Sequence, residues 1–245
     1  MSIRIHHVIL DVGFIEDKER FKSKNKFLLN ENKCQITLGE KILEIYSSNY
    51  STLIIENGYF DSLPILSTGT IINKFILEYP TKGALATAAL GITSMIKDNN
   101  PIIICPGDSL IPKKSLQNFT EYMLKKDAVA GTIIFKSIDP KFSYIRINRT
   151  GDISEVAEKK VISDLATAGV HFYRSKLDFL KACQWSFVNT YNFHGNYYLA
   201  PALNYFIMTN QKIEYFEIET EEYARFSTHS EAILSERKLS KYGSF

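Results

Sequence analysis

Cysteine is scarce: three residues in a chain of 245, at positions 34, 105 and 183. No two of them stand at metal-site spacing, and an odd count argues against a disulfide framework. Cys105 lies inside an apolar run, where cysteine serves as a small hydrophobe. These features point to a reducing, cytoplasmic compartment. Long apolar runs are missing as well. No segment approaches the ~20 residues that a membrane span needs, and the opening "MSIRIHHVILDVGF" has too short an apolar stretch, interrupted by Asp11, for a signal peptide. Charge of one sign is also lacking. Lys and Arg number 29 against 27 Asp and Glu, a formal net charge of +2, so no basic face marks a nucleic-acid binder. The basic run Lys18 to Lys26 is broken by Glu19, Phe21, Ser23 and Asn25 and reads as a solvated face rather than a phosphate loop. Repeats and low-complexity segments are absent.

What is present is a core and a rhythm. The composition is 45% hydrophobic and 13% aromatic, enough to fill a substantial interior. Short apolar runs predict strands at His7–Val12, Ser51–Asn57, Asn73–Tyr79, "PIIIC" and Ala128–Ser137. Between them, helical spacing predicts helices over Gly39–Ser48, Thr81–Lys97 (entered through Gly83) and Lys113–Lys126. Such alternation implies an α/β fold: a mostly parallel, Rossmann-like sheet with helices on both faces. After residue 140 the rhythm becomes mixed. Ser143–Asn148 and Ile153–Lys160 read as a hairpin across "RTGD", and Thr167–Arg174 as a strand before the helix "KLDFLKACQWSFV". Tyr197–Asn210 has helical length with Pro201 in its first turn. Lys212–Glu219 alternates as a strand does. The closing helix has Thr228 as N-cap and Glu231 three residues on.

Three constellations carry polar chemistry. Asp108 follows a buried strand in "NPIIICPGDSLIPKKSL", at the carboxyl-end cleft where ligands of such sheets bind. It either holds a divalent metal against phosphate oxygens or caps the helix that starts near Lys113. Glu158 and Lys159 in "EVAEKK" are adjacent, so both reach one ligand only where their strand bends or ends; otherwise they are an exposed strand end. In "HGNYYLAP", Gly195 admits close backbone approach, Asn196 offers donor and acceptor, and His194 is either a structural or solvated loop residue or a catalytic one. His6, His7, His171 and His229 carry no assigned role.

Taken together, "TKGALATAAL", "PGDSLI", "PKFSYIRINRTGDISEVAEKKVISDLATAGVHFYR" and "HGNYYLAPALNYFI" resemble the sugar-phosphate nucleotidyltransferases, the glucose-1-phosphate thymidylyltransferase-like enzymes with a nucleotide-diphospho-sugar transferase (glycosyltransferase A-type) fold. The likeness runs from about Thr81 to Tyr205. It implies one domain over residues 1–245, with a nucleotide-binding half (1–140) and a sugar-binding half (141–245). It implies attack by a sugar 1-phosphate on the α-phosphorus of a nucleoside triphosphate, with Mg²⁺ held at Asp108 and pyrophosphate leaving, in the service of surface polysaccharide synthesis. Glu158 would bind sugar hydroxyls, Lys159 the sugar phosphate, and Asn196 and His194 would lie at the sugar. Gly169 would leave the sugar room, and Gly83 would open the helix beside the base. Arg20 and Lys26 would stand in for the catalytic arginine and lysine of the phosphate loop.

The departures are specific. The family's glycine-rich loop is replaced by "GFIEDKERFKSKNKFLL", with one glycine, Gly13, and acidic Glu16 and Asp17. "YARFSTHSEA" has neither the glycine nor the second metal-binding aspartate of the family's late segment. Asn196 stands where the family often has Glu. Two other readings therefore stand beside the first: a glycosyltransferase using a nucleotide-sugar donor, although the chain has only one Asp in place of an Asp-X-Asp motif, and a non-catalytic homologue binding a sugar phosphate or a partner protein.

Overall fold

The computed structural model describes residues 4–11, 28–31, 34–48, 50–57 and 71–242. The first strand, β1 (His6–Asp11), is buried along its whole length. Its side chains alternate: Val8 and Leu10 enter one core cluster and Ile9 the other, as the two-residue period of a strand requires. β4 (Ser51–Asn57) and β6 (Ile102–Pro106) flank β1, and β5 (Ile71–Leu77) pairs with β4; all these pairings are parallel. Strands buried on both faces read as unbroken apolar runs, which is why "HVIL" and "PIIIC" stand out in the sequence.

The other half of the sheet is antiparallel. β11 (Leu165–Tyr173) lies against β6 and against β8 (Ala130–Lys136), and it also touches β9 (Tyr144–Ile147), which forms a hairpin with β10 (Ile153–Ala157). β12 (Glu214–Glu217) extends β8 in parallel. Of the described residues, nine strands join in this one sheet. Helices cover both faces. α1 (Leu38–Tyr46) and α3 (Lys113–Lys125) pack on one cluster; α2 (Ala84–Met95) and α4 (Lys176–Val188) pack on the other.

Three elements differ from the sequence expectation. A small hairpin, β2 (Leu28–Glu31) with β3 (Cys34–Thr37), precedes α1, where charge and polarity obscure the alternation. It leads into a capping box in which Thr37 and Glu40 exchange hydrogen bonds. The expected helix over Tyr197–Asn210 is two short ones, α5 (Leu199–Ala202) and α6 (Asn204–Met208). At their junction the Asn204 amide bonds both backbone groups of Val156. That side chain satisfies the end of β10, a tertiary demand that helical periodicity does not register. A two-stranded ribbon also forms between β7 (Ser109–Leu110) and β13 (Ala224–Arg225). α7 (His229–Tyr242) closes the chain. No helix among the described residues is long and apolar enough to cross a membrane.

Candidate active site

β6 ends at Pro106, and the chain must turn beside the end of β1. Gly107 makes this possible: a Cβ there would lie 2.8 Å from the Leu10 carbonyl oxygen and 2.8 Å from the Asp11 Cα. The Gly107 N–H donates to Leu10 O at 2.8 Å. Asp108 is thereby delivered to the mouth of a cleft of about 250 Å³ at the carboxyl ends of the parallel strands. It is no helix cap. The N-cap of α3 is Pro112, with no side-chain cap.

The β7–β13 ribbon decides what surrounds Asp108. The Phe226 N–H donates to the Asp108 carbonyl at 2.8 Å, the Ser227 Oγ donates to Asp108 Oδ2, and the Arg225 Nε stands 3.9 Å from the same oxygen. "YARFSTHSEA", which lacks an aspartate, thus brings a hydroxyl and a guanidinium to the strand-end carboxylate. Sequence reading missed both residues. The available signal was the lone arginine in an apolar–polar alternation.

The opposite wall comes from the antiparallel half. β10 stops at Ala157, and Lys159 adopts a left-handed φ of 49°. This turn frees the adjacent pair from the opposite-face rule of a strand. Glu158 lines the cleft and accepts from the Ser143 Oγ. Burial pushes its carboxyl up, against lowering influences from Ser143, Lys159 and Arg225. Lys159 is exposed and does not itself line the cleft; its ammonium lies 3.3 Å from the hydroxyl of Tyr198, which does, and 4.9 Å from that ring's centre. Gly169 lines the cleft at φ 78°, within the irregular register of β11, and faces Pro106. His171, also on β11, reaches the floor of the cleft. Its Nδ1 has no hydrogen-bond partner among the described residues, and burial lowers its pKa to about 3, so the imidazole is neutral.

Other expected residues lie elsewhere. Gly83 is the N-cap of α2 at φ 98°, and a Cβ there would meet the Tyr197 carbonyl oxygen at 2.4 Å. The close approach it permits is to this chain's own backbone, where Tyr197 N bonds Lys82 O and Leu85 N bonds Tyr197 O; its neighbour Ala84 lines the cleft. His194 and Asn196 sit in the exposed loop before Tyr198. The Asn196 backbone bridges to Phe193 and His194 packs edge-on to the Phe193 ring, but neither lines the cleft. Arg20 and Lys26 lie outside the described residues, as does the basic run around them.

The metal expectation is tested by the donor set. Among the described residues no group of three or more His, Cys, Asp or Glu side chains could hold an ion. Asp108 offers one carboxylate. Mg²⁺ is commonly held through one or two carboxylates, with substrate phosphates and waters completing its shell. The residues fit an ion that arrives with a phosphate ligand, and do not form a dedicated metal cage.

No family model matches the sequence. One curated relative, the bifunctional protein GlmU of Streptococcus mutans, is 24% identical over 155 residues, covering 60% of this chain and 33% of that protein. The match therefore spans about a third of that relative. Solved structures agree along nearly the whole chain. A nucleoside-diphosphate-sugar pyrophosphorylase from Vibrio cholerae superposes with a TM-score of 0.69 at 18% identity, covering 94% of this chain and 99% of that one. The inositol-1-phosphate CTP transferase of T. maritima gives a TM-score of 0.68 at 13% identity, covering 98% and 96%. The chain shares the fold of these neighbours. The mixed sheet with helices on both faces is the architecture these neighbours share, and the cleft described above opens at its carboxyl-end edge.

Proposed function

We propose that the protein transfers a nucleoside monophosphate from a nucleoside triphosphate to a sugar 1-phosphate or a similar phosphorylated small molecule. The observation that carries this reading is the meeting of the Asp108 and Glu158 walls in one cleft, on a fold shared with enzymes named for nucleotidyl transfer. An oxygen of the acceptor phosphate forms the new bond to the α-phosphorus. The bond from that phosphorus to the bridging oxygen breaks, and pyrophosphate leaves with its electrons.

In this reading Asp108 would hold Mg²⁺, which would supply charge neutralisation to the phosphates. Ser227 fixes the carboxylate in place. Glu158 accepts hydrogen bonds from sugar hydroxyls, and Lys159 meets the acceptor phosphate as a point charge. Gly169 leaves the sugar room beside Pro106. Most of the acceleration comes from positioning and charge neutralisation. The setting would be the cytoplasm, and the product an activated sugar of the kind consumed by enzymes that build surface polysaccharides.

The test is calorimetric titration with CTP, UTP, dTTP, GTP and ATP, each with Mg²⁺ and again with EDTA, followed by assay of pyrophosphate release with sugar phosphates. Magnesium-dependent binding of one triphosphate supports the reading and names the base. Binding of only nucleoside diphosphates or their sugar conjugates would replace it with glycosyl transfer. Absence of any nucleotide binding would leave a non-catalytic homologue.

A further inference from the structure

Arg225 is a half-buried cation whose guanidinium makes ion pairs but no hydrogen bond among the described residues. A guanidinium carries five N–H donors in a planar fork. Here its two carboxylate neighbours stand at 3.9 Å (Asp108) and 3.5 Å (Glu231). Burial works against its charge, but Asp108, Tyr223, Glu231 and Asp139 together hold its pKa above the ordinary value. It remains a cation facing the cleft.

Its position is over-determined. The Arg225 N–H donates to the Ser235 Oγ and its carbonyl accepts from the same hydroxyl, so α7 clamps this residue's backbone. A second cleft cation, Lys141, lies beside it. Its ammonium is 3.0 Å from the Glu231 oxygen that Arg225 also approaches, and both cations pack on the Phe142 ring, at 4.9 and 5.7 Å from its centre. Glu231 begins as an expected capping-box residue. Its N–H does donate to the Thr228 hydroxyl oxygen, at 3.2 Å, but its carboxylate is turned to these two cations.

We infer that Arg225, with Lys141 beside it and Glu231 positioning both, is a phosphate-binding residue that grips phosphate oxygens directly next to Asp108. This deepens the nucleotidyl-transfer reading but is testable without it. A planar fork matches a phosphate face bidentately. At Asp108 the same fork supplies positive charge where a ligand phosphate and the carboxylate would otherwise repel.

The probe is inorganic pyrophosphate, titrated into the full chain in EDTA. The wild type should bind it. Arg225→Gln should weaken binding about tenfold or more, since a charge-assisted hydrogen bond is lost, and Arg225→Lys should fall between because the fork is gone but the charge stays. Asp108→Asn should bind metal-free pyrophosphate more tightly, because a neighbouring negative charge is removed. That outcome keeps the inference testable even where Arg225→Gln fails to fold. No binding by the wild type, unchanged affinity in a folded Arg225→Gln, or no gain in Asp108→Asn would overturn it. Failure of every triphosphate to release pyrophosphate, with this binding pattern intact, would remove nucleotidyl transfer and leave the inference standing.

Discussion

The two walls of the cleft each carry a carboxylate bonded to a serine hydroxyl, yet they are built on different principles. Asp108 comes from the parallel half, where β6 stops against β1 and a turn projects the side chain from the sheet edge. Glu158 comes from the antiparallel half, where a hairpin strand ends and a left-handed residue redirects the chain. Asp108 has the cation Arg225 beside it. Glu158 is dominated by burial, which raises its carboxyl. One wall is suited to charge handling at phosphate, and the other to holding neutral hydroxyl groups in a drier setting. Parallel sheets offer strand-end positions as a consequence of topology. Antiparallel additions must be shaped residue by residue.

The largest effect should come from the Asp108 wall. Asp108→Asn should lower kcat by about 100- to 1,000-fold with little change in melting temperature; normal turnover would take this residue out of the chemistry. Next comes the seam at Tyr197 that precedes the cleft-lining Tyr198. Gly83→Val places a branched side chain at a φ of 98°, against the Tyr197 carbonyl, and should cost about 3 kcal/mol of stability. An unchanged thermal transition would break that part of the comparison.

On the Glu158 wall, Lys159→Ala should raise the KM for the sugar phosphate about tenfold, as loss of a charged hydrogen bond predicts, while kcat changes less. An unchanged KM would remove the phosphate contact from Lys159. The smallest effect is a gain. A carboxyl raised by burial contributes stability fully below its ordinary range, and loses that contribution as pH rises through its folded-state value. Glu158→Gln lacks this loss. It should therefore be more stable than wild type near pH 8, with the difference vanishing below the ordinary carboxylate range. Melting curves across that range would show whether the wall is as desolvated as its geometry implies, and equal stability at both ends would deny it.

Much of the architecture was legible because burial writes itself into periodicity. β1, β6, α2 and α3 follow directly from apolar runs and helical spacing, and the β9–β10 hairpin follows from "RTGD"; the side chain of Asn148, just before it, accepts from the Thr150 and Asp152 N–H groups. The β2–β3 hairpin was not legible, since its four-residue strands are short and mix apolar with polar residues without a clean alternation. Of the expected site residues, Asp108 and Glu158, singled out by position, and Gly169, implied by the resemblance, line one cleft. His171 had no motif to mark it, since a histidine alternating in a strand reads as ordinary until the cleft opens above it.

The sequence by itself determined the alternating layers, the strand-end aspartate and the Glu-Lys pair, because each depends on neighbours within a few residues or on a repeating period. Only the tertiary structure decided what faces Asp108. Ser227 bonds it from 119 positions away in the chain, and Arg225 reaches it through the two-residue ribbon of β7 and β13. Contacts of that range follow from how the β7–β13 ribbon and α7 dock on the sheet edge, and no local pattern of residue types records that docking.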